Sequence, residues 1–152
     1  MTKVERVAEL APFVGSELGV SDWVEVDEQA IAQFGRVTGD THWIHMDPEK
    51  ARRETPFSGT IAHGFLLLAM VTGLSTQCYA IRTARRWLNY GVDRVRFTAV
   101  VVAGSQVRLH LTLLALEPQP SGTRLRLGCT IELKDSERPA AVCDWICIAF
   151  EE

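Results

Sequence analysis

The sequence predicts an α+β fold in which a curved antiparallel sheet wraps around one long apolar helix. The run from Gly64 to about Tyr79 has no polar face in its first two turns, and a helix of that kind needs protein on every side. Residues 107–115 and 125–134 alternate apolar with polar side chains, the period of a half-buried strand. Strands of this length can supply the wrapping.

The first half of the chain combines short elements with capping signals. Residues 21–26 indicate a short strand, and the side chain of Asp27 can then cap a helix N-terminus. Gly39 is placed to end that helix, because glycine accepts the left-handed conformation of a helix C-terminus. The apolar face expected for this helix consists of Ala30, Ile31, Phe34 and Val37.

A second helical turn is expected where Asp47 precedes Pro48, since proline suits the first helical position after a capping residue. This turn would run through Arg53, and residues 55–59 would form a loop ahead of the apolar helix. The last segment, residues 141–150, is apolar on both faces, which indicates a central strand or an interface.

Length and composition fit one domain of residues 1–152. Hydrophobic residues make up 47% of the chain and charged residues 23%, an ordinary globular balance. A formal net charge of -3 argues against a nucleic-acid partner, because phosphate binding needs a basic excess. The apolar run at residues 65–71 is too short to cross a bilayer, and the first residues lack the apolar stretch of a secretory signal. A cytoplasmic protein without a membrane partner is expected.

The cysteines show no CxxC spacing and lie within apolar patterns. Buried free thiols in a reducing compartment are therefore favoured over disulfides or a metal site. A nucleophilic role is not supported either, because no base stands beside Cys78. The four residues are Cys78, Cys129, Cys143 and Cys147.

Ionisable side chains concentrate between Gly39 and Gly64. On a continuous helix Asp40 and His45 would project about 140° apart, whereas an irregular loop after Gly39 can turn both toward one point. A carboxylate and an imidazole aimed at one water molecule form an acid–base pair able to add or remove water across a double bond. The alternative is that Asp40 caps a turn and His45 only hydrogen-bonds within it.

Gly64 opens the apolar helix. The first N–H groups of a helix lack internal partners, and the helix dipole favours negative charge there. The Gly64 N–H could therefore stabilise a thioester oxygen that gains charge in a transition state, and glycine lets a substrate approach the backbone. The alternative is that Gly64 only allows tight packing where a loop enters a buried helix.

Asp40, His42, His45 and His63 also have the composition of a two-histidine, one-carboxylate metal site. His42 and His45 lie three positions apart in an expected non-helical loop and do not obviously converge. A site without a metal is therefore favoured.

Two blocks of sequence support a more specific interpretation. They are Thr-Gly-Asp-Thr-His-Trp-Ile-His-Met-Asp-Pro-Glu at residues 38–49 and Gly-Thr-Ile-Ala-His-Gly-Phe at residues 59–65. Both resemble the MaoC-like dehydratases, which include the R-specific enoyl-CoA hydratases, and within them the nodulation protein N-like subgroup. Residues 89–97, from Asn-Tyr-Gly to Arg-Val-Arg-Phe, also match that subgroup, and the resemblance extends over nearly the whole chain.

The resemblance implies the hot-dog fold, a sheet wrapped around one long helix. It also implies a homodimer whose sheets join edge to edge, with the acyl chain near the interface. By resemblance, Asp40 and His45 would be catalytic and would activate water, and the N–H of Gly64 would bind the thioester oxygen. Thr72 falls where many relatives carry a serine that supports the site.

One position departs from the family. The general hydratase pattern has Asn-Pro between the aspartate and the histidine, and the subgroup normally has Gln-Trp, where this chain has His42 and Trp43. Trp43 fits the subgroup, whereas the additional imidazole of His42 is expected to change water positioning or pH dependence. Trp43 and Phe65 are expected to bind the substrate and keep its site dry.

The expected reaction is reversible hydration of a trans-2-enoyl-CoA to an R-3-hydroxyacyl-CoA, with coenzyme A as part of the substrate and no separate cofactor. Asp40 would take a proton from water, while His45 orients the water and helps deliver a proton to the α-carbon. Two alternatives remain open. One is an acyl-CoA thioesterase of the same fold, which would release a free thiol, and the other is a non-catalytic acyl-CoA-binding module.

Overall fold

The computed structural model describes residues 1–151. Its strands are β1 (Thr2–Val4), β2 (Glu17–Val20), β3 (Val24–Val26), β4 (Tyr79–Ile81), β5 (Ala84–Phe97), β6 (Ser105–Gln119), β7 (Gly122–Leu133) and β8 (Ala141–Glu151). Its α-helices are α1 (Glu28–Thr38), α2 (Trp43–Met46), α3 (Pro48–Glu54) and α4 (Gly64–Ser75), and a 3₁₀ helix spans Val7–Phe13.

The long strands form one antiparallel sheet in the order β2-β6-β7-β8-β5, with β3 pairing along β6 next to β2. Helix α4 packs against β6, β7 and β8. The alternation read from the sequence is confirmed, since one set of β6 and β7 side chains forms the core. Its fully buried members are Val107, Leu109, Leu111, Leu113, Leu125 and Leu127. The α+β architecture is therefore confirmed.

The doubly apolar segment is also confirmed as an interior strand, because β8 pairs with β7 on one side and β5 on the other. The residue pattern did not predict the two edge strands of this sheet, β2 and β5, although the family resemblance matched residues 89–97 to a strand region. β2 is short, and β5 mixes charged and apolar residues without strict alternation. Such a pattern arises at an edge strand, where neither face is fully covered by its own chain.

Helix α4 differs from its prediction in length and in surroundings. It ends at Ser75 rather than near Tyr79, because residues Tyr79–Ile81 leave the helix to pair in parallel with β1. Only Leu67, Val71, Leu74 and Ser75 of the helix are buried. The side chain of Phe65 is 67% exposed, so the expectation that protein surrounds the whole helix is wrong for a single chain.

The capping predictions for the first helices are confirmed. Asp27 accepts a hydrogen bond from the Ala30 N–H at 2.7 Å, and Gly39 ends α1 with φ at 80°. Val37 was expected on the buried face of α1 but is 86% exposed. Gly35 is buried on that helix instead, and a Cβ atom there would lie 2.9 Å from the main-chain oxygen of Asp40 and 2.8 Å from the Sδ of Met46.

The loop between Gly39 and Gly64 is more regular than expected. Residues 43–46 form the short helix α2, and the Nδ1 atom of His42 caps it by accepting the Ile44 N–H at 3.3 Å. Asp47 and Pro48 start α3 as predicted. The four cysteines are free and buried, also as predicted. Among residues 1–151 no helix has the length and apolar character needed to span a membrane.

Candidate active site

The reversal of the chain after α1 brings Asp40 and His45 together. Gly39 turns the backbone in the left-handed region, and α2 then starts three residues after Asp40. A carboxylate oxygen of Asp40 and one ring nitrogen each of His45 and His63 lie within 4.8 Å of one another. Within residues 1–151 no direct hydrogen bond joins the side chains of Asp40 and His45, and a separation of this size suits a bridging water.

The main chain determines which nitrogen of His45 carries a hydrogen. Its Nδ1 lies 2.7 Å from the carbonyl oxygen of Ile61, and because a carbonyl can only accept, Nδ1 must donate. Nε2 of the neutral ring is then an acceptor able to bind a water proton. Burial lowers the pKa of His45, and the neighbouring His63 adds to this lowering, while the bond to Ile61 and the charge of Asp40 oppose it. The neutral, proton-accepting ring is thereby favoured.

Asp40 stands at the mouth of a cleft of about 510 Å³. Its side chain is 58% exposed, and its carboxylate oxygen lies 3.9 Å from the Nε2 of His63. Apart from Asp40, Thr38 and His63, the cleft is apolar. Its lining consists of Phe34, Thr38, Asp40, His63, Phe65, Leu68 and Ala69. A ligand with an apolar chain and a polar group at one end would fit this distribution of apolar and polar side chains.

Gly64 supports both of the interpretations that the sequence left open. A Cβ atom at Gly64 would lie 2.7 Å from the ring of Phe97, so packing by itself requires a glycine here. Gly64 is also the first residue of α4, where the main-chain N–H has no acceptor inside the helix. A second cleft of about 260 Å³ is lined by Gly64 and Phe97. Gly64 therefore borders this second cleft, while its sequence neighbours His63 and Phe65 line the first.

The other predicted substrate residues are spread along α4 and α2. Phe65 lines the cleft beside Asp40 and packs edge-on against Phe97, with ring centroids 5.7 Å apart. Thr72 lies two turns further along α4, in an adjoining cleft that shares Leu68 and Ala69, and its hydroxyl donates to the Ala69 carbonyl. Trp43 lies outside the lining of the cleft, with the ammonium of Lys50 4.8 Å from its ring centroid.

His63 had no catalytic or positioning role predicted from the sequence, yet this residue lies at the centre of the group. Its side chain is only 3% exposed, its Nε2 lies 2.9 Å from the main-chain oxygen of Asp40, and its ring stacks on His45 with centroids 3.8 Å apart. The signals in the sequence were its place in the candidate metal set and its position just before Gly64. Nothing in the composition shows that this histidine is buried.

Asp40, His45 and His63 have the composition of a metal site, but their orientation does not suit one. Each histidine already bonds a main-chain carbonyl through one ring nitrogen. The His63 nitrogen near the Asp40 carboxylate is Nε2, which donates to the Asp40 main-chain oxygen and therefore has no lone pair to offer an ion. A shared water molecule fits this arrangement better.

Comparison with known proteins places these residues in a family context. Residues 9–118 match the family described as MaoC like domain. The 3-hydroxyacyl-thioester dehydratase Z of Mycobacterium tuberculosis is 40% identical over 147 residues, covering 96% of this chain and 97% of that protein. Nodulation protein N of Rhizobium leguminosarum bv. viciae is 40% identical over 146 residues, covering 93% of this chain and 89% of that protein.

Solved structures of low sequence identity share the fold. An R-hydratase from Pseudomonas aeruginosa superposes with a TM-score of 0.73 at 24% identity, covering 91% of this chain and 83% of that one. A MaoC-like dehydratase from Rhodospirillum rubrum superposes with a TM-score of 0.76 at 21% identity, covering 97% of each chain. The predicted hot-dog fold is thereby confirmed.

Proposed function

Because the chain belongs to the MaoC-like domain family, we propose that it is an R-specific enoyl-CoA hydratase, which also acts in reverse as a 3-hydroxyacyl-CoA dehydratase. The observation that carries the proposal is the proximity of Asp40 and His45, whose polar atoms lie within 4.8 Å of each other where Asp40 lines an apolar cleft. The relative from M. tuberculosis supports it, since its name specifies dehydration of a 3-hydroxyacyl thioester. R-hydratases among proteins of the same fold support the stereochemistry.

In the proposed mechanism, the Gly64 N–H polarises the thioester carbonyl and makes the β-carbon electrophilic. The carboxylate of Asp40 takes one proton from the water as its oxygen bonds to the β-carbon. His45 enters this direction protonated, and its Nε2 gives the added proton to the α-carbon, which restores the thioester carbonyl and leaves the ring neutral. Asp40 then holds a proton and His45 has lost one, so the pair has moved one proton in total.

The reverse reaction, dehydration, starts from the neutral His45 ring with hydrogen on Nδ1, the form that its bond to the Ile61 carbonyl favours. His45 with a free Nε2 takes the α-proton of the 3-hydroxyacyl thioester, while protonated Asp40 gives its proton to the departing hydroxyl. The Nδ1–H bond to Ile61 keeps the imidazole in the orientation that presents Nε2. The apolar walls exclude other water from the reacting carbons, which strengthens the pull of the amide on the oxygen.

The functional unit in this proposal is a homodimer. Helix α4 leaves an apolar face uncovered, and the edge strand β5 exposes large apolar side chains. These are Trp87, Leu88, Tyr90, Val92 and Phe97. A second copy pairing along β5 would cover both surfaces and continue the sheet, since an open apolar edge strand is otherwise prone to aggregate. Thr72, on the open side of α4, would then contact the acyl chain near the interface.

The activity is tested with crotonyl-CoA, by following the loss of the enoyl absorbance on hydration. Asp40→Asn and His45→Gln should each lower kcat at least about 100-fold, because each removes one partner of the acid–base pair. An S-specific 3-hydroxyacyl-CoA dehydrogenase should leave the product unoxidised, whereas an R-specific one should oxidise it. Folded variants that retain the parental rate, or an S product, would overturn the assignment.

The two alternative functions give different readouts in the same samples. A thioesterase would release free coenzyme A, which a thiol reagent detects, whereas hydration releases none. A non-catalytic binding module would bind the acyl-CoA in calorimetry without any change in enoyl absorbance. The proposal needs no cofactor beyond the coenzyme A of the substrate and includes a cytoplasmic location.

A further inference from the structure

We propose that His63 is the positioning residue of the acid–base pair, holding Asp40 through its main-chain carbonyl and His45 through ring stacking. This inference rests on the proposed function, since it assigns a role within the same reaction. His63 contacts both members of the pair, whose own side chains share no direct hydrogen bond within residues 1–151. The two reacting groups therefore keep their relative position by way of a third side chain, that of His63.

Asp40 has few other constraints. It lies between the end of α1 and the start of α2, and its side chain is largely exposed. Its N–H reaches the hydroxyl of Thr38 only at 3.4 Å, near the limit for a hydrogen bond. The 2.9 Å bond from the Nε2 of His63 to the Asp40 carbonyl is therefore the strongest contact that fixes this residue.

His45 is held from the same short segment of chain. Its Nδ1 bonds to the carbonyl of Ile61, and its ring lies against that of His63. The segment is itself anchored, because Ile61 donates to the Ile44 carbonyl at 3.1 Å and Ala62 donates to the Val101 carbonyl at 2.8 Å. Residues 61–63 therefore hold the acid–base pair in a fixed position relative to the rest of the fold.

The same segment continues into the amide that would bind the substrate. His63 is the N-terminal cap residue of α4, and Gly64 follows it directly. A displacement of His63 would therefore move the pair relative to the Gly64 N–H. A misplacement of about 1 Å between reacting groups can lower the rate about 100-fold. A displaced His63 would therefore lower the rate by moving the acid–base pair relative to the Gly64 N–H.

Stability alone does not account for a histidine at this position. The Nδ1 of His63 is buried and has no hydrogen-bond partner within residues 1–151, a costly state for a polar atom. An apolar side chain of similar size would fill the space without that cost, although it would lose the bond to Asp40. Buried polar groups that cost stability are found where function requires them.

The test compares three substitutions in the full chain by kcat, KM and melting temperature. His63→Gln keeps an amide nitrogen close to the place of Nε2, whereas His63→Asn places its nitrogen nearer to Nδ1 and cannot reach the Asp40 carbonyl. His63→Leu fills the volume and removes both contacts. The core variant Ile31→Val is the control for packing, because Ile31 is fully buried in α1 and is assigned no part in the site.

We expect His63→Leu and His63→Asn to lower kcat on the order of 100-fold while KM changes less than about threefold. His63→Gln should recover kcat to within about tenfold of the parent. The melting temperature of His63→Leu should not fall, whereas Ile31→Val should lower the melting temperature and leave kcat near the parental value. Parental kcat in His63→Leu, equal rates for the Gln and Asn variants, or rates that follow melting temperature across all four variants would overturn the proposal.

A spectroscopic arm separates this inference from the proposed function. Nuclear magnetic resonance relaxation of the main-chain amides of Asp40 and Thr41 reports how firmly this segment is held in the resting protein, whatever reaction it catalyses. The parent and His63→Gln should show a rigid segment, and His63→Leu, which lacks the bond to the Asp40 carbonyl, should show a more mobile one. An equally rigid segment in His63→Leu would overturn the positioning role even in a protein that hydrates no enoyl-CoA.

Discussion

The ring of Phe97 lies so close to Gly64 that a Cβ atom at Gly64 would come within 2.7 Å of its carbons. Phe97 ends the edge strand β5, whereas Gly64 begins the central helix α4. The contact therefore ties the start of the helix to the uncovered edge of the sheet. It also explains the glycine by packing, independently of any substrate.

Gly64→Ala should destabilise the protein by about 1–3 kcal/mol, the usual cost of overpacking a close contact. It should also lower activity, because relief of the collision moves Phe97 or the first turn of α4. The double variant Gly64→Ala with Phe97→Ala removes the obstacle and should recover part of the lost free energy of unfolding. Urea unfolding measures the stability of the single and the double variant. Equal stability of the two would show that the collision with Phe97 does not cause the loss.

The lowered pKa of His45 predicts the pH dependence of dehydration. His45 must be neutral to take the α-proton, and burial favours its neutral form. The rate should therefore stay high as the pH falls through about 6.5, the ordinary value for histidine, and decline only below it. The measurement is the pH profile of kcat/KM with a 3-hydroxyacyl-CoA. Its decline on the acid side, the acid limb, reports interacting groups together rather than His45 alone. An acid limb well above 6.5 would contradict the prediction.

Gly73→Glu should disrupt the proposed dimer without unfolding the chain. Gly73 lies on the open face of α4, and a Cβ atom there meets nothing within 4 Å. Glutamate also has a higher helix propensity than glycine, by about 0.5 kcal/mol or more. Analytical ultracentrifugation should find the parent with the mass of two chains and the variant with the mass of one. Val37→Glu places the same charge at an exposed position of α1 and should remain dimeric; a monomeric parent would refute the dimer.

His110 should contribute stability that depends on pH. Burial lowers its pKa, but hydrogen bonds from its ring to Glu132 and Glu17 outweigh burial, and the net direction is upward. Since the folded pKa is raised, the contribution is fully present below the unfolded value of about 6.5 and is lost as the pH rises through the folded value. It should not exceed about 1 kcal/mol at this partly exposed site.

The measurement for His110 is urea unfolding of the parent and His110→Gln at about pH 5.5 and about pH 8.5, on either side of the ordinary histidine value. The variant should be less stable than the parent at the lower pH, and the difference should shrink at the higher pH. A difference that grows with pH would reverse the sign and reject the interpretation. Arg108, which also bonds to Glu132, stays in place in both proteins.

Much of the fold follows from local patterns because their physical causes are local. Alternating side chains require a strand with one buried face, as β6 and β7 show, and Asp27 and Gly39 bound α1 through contacts with their own helix. The patterns failed where another part of the chain decides the outcome. Helix α4 stops at Ser75 because β1, far away in sequence, pairs with residues Tyr79–Ile81.

The sequence by itself determined the family, the sheet-and-helix architecture and the identity of Asp40, His45 and Gly64 as candidates, because residue types and spacing carry that information. Only the tertiary structure decided that His63 is buried between Asp40 and His45 and that Phe97 covers Gly64. Both are contacts between segments distant along the chain. The energy of each contact depends on the distance between the groups and on their removal from water. The folded chain sets both, and neither can be read from a short stretch of sequence.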